Sequence, residues 1–465
     1  MIKFETQLYD HQRAAVEKLS RVKVGALYME QGTGKTRTAL ELIKLRYDAG
    51  KIDRAIWLCP CSVKQNLRND IIYHCGEMPD NIIICGIETL STSVKWISRL
   101  MSIAGESTCL IVDESTLVKN HRALRTQHIT QMAEKCKYKL ILNGTPITKL
   151  EADLYAQWYM LDPRILGYQS FYSFAANHID YDRDIPDKIV RCLNTEYLTR
   201  KISPFTYQVL KKDCLKLPRK DYSVRHYPMT EKQDENYYDV FNWLMEDVDE
   251  MQPHTIYKLF NYLQHVMSGK HVEFKKSGIF MYDRFDNARD NPRIKTLLNI
   301  ISELSDQKVI IFCKYTSEIT DICNILGDLG DKAVRFDGSI SLKSRVENIE
   351  KFKGDAQYFV ANKVCAGYGL NLQFCHNVIF YSNDWSFATR SQAEDRVHRI
   401  GQESEVHIYD ICAEYTLDVR ILDCLSNKEN LVNRFKKDIE KIKNKQDLKK
   451  WISLKEGTSD AKQNL

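Results

Sequence analysis

The sequence GTGKT at residues 32–36 constrains the fold of this chain more than any other stretch. The apolar run GALYM lies just before it, and the run TALELIKL, which is typical of a helix, follows it. A glycine-rich turn between a buried strand and a helix points successive backbone N–H groups at one locus, where the helix dipole adds a positive field. The sequence therefore predicts a phosphate-binding loop made of Gly32, Thr33, Gly34, Lys35 and Thr36.

Two residues of this loop have predicted roles of their own. Lys35 supplies a positive charge for the β- and γ-phosphates of a nucleotide, and the Thr36 hydroxyl is placed to bind Mg²⁺. The full pattern has another glycine five residues before Gly34, where this chain has Met29. An ordinary glycine turn before a helix is the alternative interpretation.

The length and composition limit the class of protein. A chain of 465 residues is too long for one hydrophobic core and predicts two or three domains. No apolar stretch approaches a membrane span, and the N-terminus MIKFETQLYDHQR is too polar for a secretory signal, so we expect an intracellular protein. The 14 cysteines contain no C-x-x-C pair and predict reduced thiols, and a net charge of +5 permits a polyanionic partner without requiring one.

Short apolar runs alternate with helical stretches in the first third of the chain. The predicted strands are VGALYM, AIWLCP at 55–60, NIIICG at 81–86, CLIVDE at 109–114 and KLILNGTP at 139–146. Strands that alternate with helices predict an α/β fold with a parallel sheet covered on both faces. Ligands of such sheets bind at the carboxyl ends of the strands.

A second α/β series begins near residue 290. Its predicted strands are KVIIFCKY, AVRFDG, QYFVANK, HNVIFYS and VHIYDICA. We predict a first α/β domain at 1–150, helical extensions and a linker at 151–285, a second α/β domain at 286–430, and a basic amphipathic tail at 431–465. A plain amphipathic helix packed on the second domain is the alternative to a DNA-binding role for the tail.

An acidic pair ends the predicted strand CLIV. Asp113 and Glu114 follow the phosphate loop by about eighty residues in the same predicted sheet, so both should lie at its carboxyl edge. In a nucleotide hydrolase, Asp113 would hold the metal and Glu114 would orient or deprotonate the attacking water.

Two arginines in the second domain are candidates for the same chemistry. The sequence QAEDRVHRIGQ at 392–402 presents Arg396 and Arg399 three residues apart, on one face of a predicted helix. Surface charges are the usual explanation for such a pair. Because a hydrolase needs positive charge to stabilise the transferring phosphoryl group, we predict that the second domain supplies it through these arginines.

Taken in order, these motifs resemble superfamily 2 helicase-like ATPases, and specifically the Snf2 group of double-stranded DNA translocases. Gln12 in LYDHQ resembles the adenine-reading glutamine of the family. The other matching stretches are EQGTGKT, LCPCSVKQN, GIETLS, DESTLVKN, LNGTPITK, IIFCKY, FDGS with Arg345, CAGYGLNL and NDWSFATRSQAEDRVHRIGQ. The last of these is the most specific, and the likeness covers roughly residues 5–425.

The resemblance implies two tandem RecA-like lobes, with ATP and Mg²⁺ in the cleft and double-stranded DNA running across both lobes. ATP would close the cleft and hydrolysis would reopen it, moving the protein along one strand of the duplex through contacts mainly with phosphates. The candidate residues for DNA contact or coupling are Lys64 and Thr89 in the first lobe and Asn371 and Trp385 in the second.

The chain also departs from the family pattern. Ser115 and Thr116 stand where the family has the last two residues of its DEAH box, which puts in doubt the coupling role of the last one. Asn362, Lys363 and Ala366 replace small and hydroxyl residues.

Two rivals to a DNA translocase stay open. One is a strand-separating or branch-migrating helicase, for which no insertion identifies itself as a wedge. The other is a scaffold that binds nucleic acid without hydrolysing ATP, although it would have no chemical need for Lys35, Asp113, Glu114, Arg396 and Arg399. Since no accessory domain is visible, we expect a compact monomeric translocase in the cytoplasm of a bacterium or a phage-infected host.

Overall fold

The structure, a computed structural model, describes residues 2–144, 151–181, 189–246, 253–275, 277–362 and 370–427. The predicted tail at 431–465, the TP of the GTP turn and the first half of AGYGLNLQ lie outside these residues. The chain divides into two compact units, the first running through Leu217 and the second beginning at Pro218.

The first unit contains eight described strands. They are β1 Val24–Met29, β2 Arg54–Cys59, β3 Ile82–Gly86, β4 Thr108–Asp113, β5 Tyr138–Asn143, β6 Ile179–Tyr181, β7 Ile189–Cys192 and β8 Thr206–Val209. Six of them form a parallel sheet in the order β3-β2-β4-β5-β1-β8, while β6 and β7 form an antiparallel pair. This order puts β1 next to β5 and β4 between β2 and β5.

The helices of the first unit connect these strands and cover the sheet. They are α1 Asp10–Ser20, α2 Lys35–Asp48, α3 Lys64–Cys75, α4 Val94–Ile103, α5 Leu124–Lys135, α6 Leu154–Leu161, α7 Pro163–Leu166, α8 Phe171–His178, α9 Thr195–Ile202 and α10 Lys211–Cys214. Short 3-10 turns lie at Cys61–Val63, Glu88–Ser91, Ser115–Val118, Glu151–Asp153 and Ser203–Phe205.

Both faces of the first sheet are buried, as a parallel sheet with crossover helices requires. Neighbouring residues of one strand point to opposite faces, so Ile56 packs in one apolar cluster and Trp57 in another. Trp158 of α6 closes the first cluster, and its indole N–H donates to the Tyr28 hydroxyl at 2.9 Å. The predicted parallel α/β fold is confirmed for this unit.

The second unit repeats the architecture. Its described strands are β9 Lys220–Tyr227, β10 Lys270–Lys275, β11 Gly278–Asp283, β12 Val309–Cys313, β13 Ala333–Phe336, β14 Tyr358–Asn362, β15 Asn377–Phe380 and β16 Val406–Ala413. The parallel sheet has the order β13-β14-β12-β15-β16-β9, and β10 pairs with β11 as an antiparallel hairpin. The prediction of a second parallel sheet is confirmed.

The second unit has seven described helices, and six of them contribute residues to one large apolar cluster. The seven helices are α11 Glu231–Glu246, α12 Pro253–Met267, α13 Pro292–Leu304, α14 Thr316–Asp328, α15 Leu342–Lys353, α16 Phe387–Glu394 and α17 Leu417–Ser426, with a 3-10 turn at Ala288–Asp290. Of the helices that the structure describes in this chain, none is both long and apolar enough to cross a membrane.

The segment at 151–285 contains strands that the sequence analysis did not predict. Besides its helices it provides β6, β7, β10 and β11, and two further strands, β8 and β9, each of which joins the edge of one parallel sheet. β9 is largely exposed and β8 half exposed, so their sequences lack the continuous apolar run that marks a buried strand. Tertiary pairing, which a local pattern does not encode, decides their structure.

Candidate functional site

The glycine turn lies between the end of β1 and the start of α2, as the sequence predicts. Gly32 and Gly34 have φ of 78° and 86°, in the left-handed region that strains any residue with a Cβ. A Cβ added to Gly34 would lie 2.0 Å from Nε2 of Gln12. Position 34 is therefore restricted to glycine by both its backbone and its surroundings.

Internal hydrogen bonds hold the rest of the loop. The Lys35 ammonium donates to the Met29 carbonyl at 2.9 Å, and the Thr33 hydroxyl donates to the Glu30 carbonyl at 2.7 Å. Thr36 is half-buried in the first turn of α2. The loop is folded and tied to the strand that precedes it, which is the form that a preorganised anion site takes.

Gln12 lies on this loop. The side chain is 2% exposed, its amide nitrogen donates to the Thr33 carbonyl at 3.2 Å, and its amide oxygen accepts from the Tyr9 N–H at 3.0 Å. His11, the preceding residue, also bonds the Thr33 carbonyl at 2.8 Å. The structure thus brings the predicted adenine-reading glutamine to the phosphate loop, with its amide already engaged by protein groups.

Asp113 ends β4 at the carboxyl edge of the same sheet, and Glu114 follows it. Burial and the neighbouring Glu114 charge raise the pKa of Asp113 to about 7, against the opposing effect of Lys35. Glu114 has a φ of 48°, and its N–H donates to Oδ1 of Asp113 at 2.9 Å. A non-glycine residue in the left-handed region costs of order 1–3 kcal/mol and is found most often at functional sites.

The donors at this edge suit a hard cation. A carboxylate whose pKa is raised by burial lacks compensating positive charge, and a divalent cation would supply it. Mg²⁺ prefers oxygen ligands and usually binds only one or two carboxylates together with substrate phosphates. No group of three or more His, Cys, Asp or Glu side chains with metal-binding geometry occurs among the described residues.

Ser115, the departure from the family box, makes two hydrogen bonds. Its hydroxyl donates to Oε1 of Gln157 on α6 at 2.5 Å and accepts from Nδ2 of Asn143, at the end of β5, at 3.4 Å. Gln157 is fully buried and was missed by the sequence analysis, because a lone glutamine in an aromatic-rich helix carries no signal. The acidic box is thus tied to the next strand by a hydroxyl.

The candidate DNA residues of the first unit lie on two loops that contact each other. Lys64, the exposed first residue of α3, lies 5.5 Å from the Trp96 ring centroid, and Thr89 lies in the 3-10 turn after β3. Cys61 joins the loops, since its N–H donates to Glu88 at 2.8 Å and its thiol lies 3.4 Å from the Thr89 hydroxyl. The loops follow β2 and β3, and so lie at the carboxyl edge that holds the phosphate loop.

The two arginines of the second unit do not lie on one helical face, so this part of the prediction is wrong. α16 ends at Glu394, and both Arg396 and Arg399 lie in the turns that follow. After Glu394 the backbone continues in tight turns, in which the Arg396 N–H donates to the Ala393 carbonyl at 3.2 Å. The Arg396 carbonyl accepts from the Leu372 N–H of a neighbouring loop at 3.0 Å. The pattern of charges alone did not reveal this backbone bond.

Two candidates with different predicted roles meet in this turn. The Arg399 guanidinium donates to the side-chain oxygen of Asn371. Gln402, at the end of the RIGQ stretch, is buried, and its amide nitrogen donates to the Cys375 carbonyl at 3.0 Å. The specific motif at 392–402 therefore packs its turn against the loop that carries Asn371.

A buried ion cluster, which the sequence analysis did not identify, anchors α16. Arg390 donates to Glu394 at 2.7 Å and to both Asp410 oxygens at 2.5 and 2.9 Å, and its guanidinium stacks 3.4 Å from the Phe380 ring centroid. Burial alone would lower the pKa of Arg390, but Asp410 and Glu394 raise it above its ordinary value. Arg390 is therefore a structural ion that fixes the helix preceding the two arginines.

Trp385 is held by protein groups in the second unit. Its indole N–H donates to Oε1 of Gln264 at 2.7 Å, and the Lys314 ammonium lies 4.0 Å from the ring centroid. Burial lowers the pKa of Lys314 to about 8. The indole is half-buried and has a fixed orientation, so it contributes at least in part to packing.

Two family models and several relatives match this chain. The family model of the SNF2-related domain matches residues 77–277, and that of the helicase conserved C-terminal domain matches residues 292–401. An uncharacterized ATP-dependent helicase of Mycoplasma genitalium is 26% identical over 365 residues, 77% of this chain and 33% of the relative. The uncharacterized ATP-dependent helicase YqhH of Bacillus subtilis is 23% identical, over 93% of this chain and 80% of the relative.

The chain spans about a third of the length of the mycoplasma relatives it matches. Among solved structures, the SWI2/SNF2 ATPase core of Sulfolobus solfataricus in complex with double-stranded DNA is 22% identical, with 97% of this chain and 98% of that chain covered and a TM-score of 0.43.

Proposed function

This chain is a Snf2-type superfamily 2 helicase-like protein, and on that premise we propose that it hydrolyses ATP to move along double-stranded DNA. The observation that carries the proposal is the poised carboxyl edge of the first sheet. There the pKa of the half-buried Asp113 is raised to about 7 against the opposing effect of the Lys35 ammonium, and the neighbouring Glu114 has a left-handed conformation. A turn with only a structural role would not need a carboxylate, here Asp113, whose charge Lys35 balances only in part.

We assign the nucleotide to the loop at 32–36. Backbone N–H groups and Lys35 would bind the phosphates, and Gln12 would read the adenine after exchanging one of its present hydrogen bonds. Mg²⁺, held by Thr36 and Asp113, would neutralise charge on the phosphates. Glu114 would orient or deprotonate the attacking water, and its proximity to Asp113 makes it part of one acidic unit.

Arg396 and Arg399 are assigned to stabilising charge on the transferring phosphoryl group. The contact between Arg399 and Asn371 supports a role for Asn371 in positioning that guanidinium. Lys64 and Thr89 are assigned to the DNA backbone, together with Trp385, whose indole is already oriented by Gln264. We propose double-stranded DNA as the partner, a monomer as the working form and the bacterial cytoplasm as the location.

The test of this function compares nucleic acids as activators. ATP hydrolysis is measured alone and with single-stranded, duplex and forked DNA, and duplex DNA should stimulate most. Because Lys and Arg contacts release counterions, the DNA affinity should fall with salt at a log–log slope of roughly −0.9 per phosphate neutralised. Strong dependence on base sequence, or activation by RNA alone, would contradict a protein that follows the DNA backbone.

A second assay separates translocation from unwinding. A translocase should displace a third strand from a DNA triplex while leaving a forked duplex paired. Release of single strands from the fork would instead show that the chain is a strand-separating helicase.

A further inference from the structure

Glu30 occupies an unusual position between the phosphate loop and the segment that ends the first unit. It follows β1 directly, and β1 pairs with β8 up to the Met29 and Val209 positions. The Glu30 N–H extends this pairing by donating to the Val209 carbonyl at 3.1 Å. Glu30 is thus the point where the sheet ends and the loop begins.

One peptide group at this point is bonded on both sides. The carbonyl of Met29 and the N–H of Glu30 belong to the same peptide, and the Lys35 ammonium donates to that carbonyl at 2.9 Å. Hydrogen bonds on the two ends of one peptide polarise each other. A phosphate that draws Lys35 away from the carbonyl would therefore also change the bond to Val209.

The Glu30 side chain reaches further along the same segment. Oε2 of Glu30 accepts the backbone N–H of Lys211 at 2.6 Å, and Lys211 is buried. A bond to an ionised carboxylate at this length is among the stronger hydrogen bonds in proteins. The Glu30 carbonyl meanwhile accepts from the N–H and hydroxyl of Thr33 at 3.3 and 2.7 Å.

The segment that Glu30 holds leads out of the first unit. Lys211 begins α10, and seven positions later the chain enters the second unit at Pro218. We define Lys211–Leu217 as the exit segment. Glu30 therefore bonds both the phosphate loop, through Thr33, and the first residue of the exit segment, Lys211.

We propose that Glu30 is a positioning residue that couples nucleotide binding at the phosphate loop to the exit segment. The proposal rests on the assignment of the loop to ATP made above. Phosphate binding would move Lys35, alter the Met29–Glu30 peptide and, through the carboxylate, shift the first turn of α10.

A proline at position 211 deletes the critical N–H donor together with the Lys211 side chain. Proline has no N–H and is tolerated at the first position of a helix. The preceding residue, Leu210, has φ −93° and ψ 150°, the extended conformation that a residue before proline prefers. Lys211→Pro therefore removes the bond to Glu30 with little backbone strain, and Lys211→Ala, which keeps the N–H, is its matched control.

The variants predict a pattern in the DNA-stimulated kcat. Lys211→Pro and Glu30→Ala should each lower it about 2- to 30-fold, the range that coupling mutations produce, whereas the ATP Kd of Lys211→Pro should stay near that of the parent. Lys211→Ala and Glu30→Gln, in which donor and acceptor remain, should resemble the parent. The double variant Glu30→Ala/Lys211→Pro should lose no more than either single one. Parental stimulation in Lys211→Pro, or an equal loss in Lys211→Ala, would overturn the proposal.

Hydrogen exchange gives a readout that needs neither DNA nor a stable proline variant. Exchange of a peptide covering residues 208–215 is measured with and without a non-hydrolysable ATP analogue. The analogue should change exchange in the parent and in Glu30→Gln, and leave it unchanged in Glu30→Ala.

The two proposals fail separately in this experiment. No change in the parent, at a concentration of analogue that saturates the site, overturns the coupling even if DNA stimulates hydrolysis. A change in the parent without any stimulation by DNA supports the coupling and overturns the proposed translocase instead.

Discussion

Both parallel sheets have charged residues near their carboxyl edges, but the two edges differ in how far neighbouring side chains balance those charges. In the first unit, burial and Glu114 raise the Asp113 pKa to about 7, and Lys35 offsets this only in part. In the second unit, Arg390 bonds Asp410 and Glu394, and these three side chains are buried. Lys220 supplies the second positive charge, 2.7 Å from Glu394. The first edge holds a carboxylate whose charge a bound cation can balance, whereas the charged side chains of the second cluster balance one another.

This difference suggests that the charged residues of the first unit serve the reaction and those of the ion cluster in the second unit stabilise the fold. An uncompensated carboxylate costs stability and is kept where chemistry needs it. A closed ion cluster gives a rigid support, because breaking it would leave a buried charge alone. We therefore expect substitutions at the first edge to change the reaction, and substitutions in the ion cluster of the second unit to change stability. Arg399 lies in the second unit but outside this ion cluster, and we expect its substitution to change the reaction.

The largest expected effect is on the arginines, where the second unit would contribute chemistry. Arg399→Ala should lower the DNA-stimulated kcat by about 10³- to 10⁵-fold, since arginine fingers contribute that much to phosphoryl transfer, while the ATP Kd changes far less. Arg396→Ala should act in the same direction. Steady-state hydrolysis and equilibrium ATP binding measure the two quantities.

Asn371→Ala is the control for the positioning of Arg399, and should give a smaller loss of kcat in the same assay. If Arg399→Ala hydrolyses ATP at the parental rate but no longer binds DNA, Arg399 belongs to the DNA-binding surface. The second unit would then contribute no arginine at this position to phosphoryl transfer.

The arginines also show what the sequence could predict. Buried strands such as β1, β4 and β12 are continuous apolar runs, so the two parallel sheets and the residues at their carboxyl ends follow from the pattern. The glycine loop and the acidic pair were located in this way. The local pattern could not show that α16 ends before Arg396, or that the Arg396 carbonyl accepts from Leu372, which is distant in sequence.

Residues that act through distant partners were missed for the same reason. Gln157, Arg390 and Glu30 become informative only when the fold brings them to Ser115, Asp410 and Lys211. The edge strands β8 and β9 likewise depend on pairing with β1 and β16. A single sequence reports which residues are apolar in a run, and it does not report which polar groups meet across the fold.

The next effect compares two residues of the first edge. Glu114→Gln should lower kcat by about 10²- to 10⁴-fold, as expected for loss of a general base, and should still bind ATP. Lys35→Ala should also abolish turnover, but with weaker ATP binding, because a phosphate contact is lost. Binding of a fluorescent ATP analogue separates the variants, and equal loss of affinity in both would show that the two roles are assigned wrongly.

A third prediction concerns the ion cluster of the second unit. Arg390→Ala leaves the buried Asp410 with only the neutral Asn383 amide and Glu394 with Lys220. Removal of one partner of a buried ion pair typically costs about 3–5 kcal/mol. Urea unfolding followed by hydrogen exchange in peptides of α16 measures the loss locally, as a chain of two units does not unfold in one step. Lys332→Ala, which removes a surface pair with Asp355, should leave unfolding unchanged. Parental stability in Arg390→Ala would mean that the cluster is not a structural support.

The last prediction is the pH dependence of the stability of the first unit without nucleotide or metal. The pKa of Asp113 is about 7 in the folded chain and near 3.8 when unfolded, so between these values the folded form binds the additional proton. Stability should then fall as pH rises from about 4 to about 7, by roughly 1.4 kcal/mol for each unit of pKa difference, because ionisation leaves a buried charge. Asp113→Asn, which cannot ionise, should melt at a higher temperature than the parent at pH 8 and at nearly the same temperature at pH 4.

Adding Mg²⁺ with a non-hydrolysable ATP analogue at pH 8 should remove the stability advantage of Asp113→Asn, since the cation would balance the carboxylate of the parent. If instead the parent is more stable than Asp113→Asn at pH 8 in chelator, the charge is already compensated within the protein, and the contrast between the two sheet edges fails.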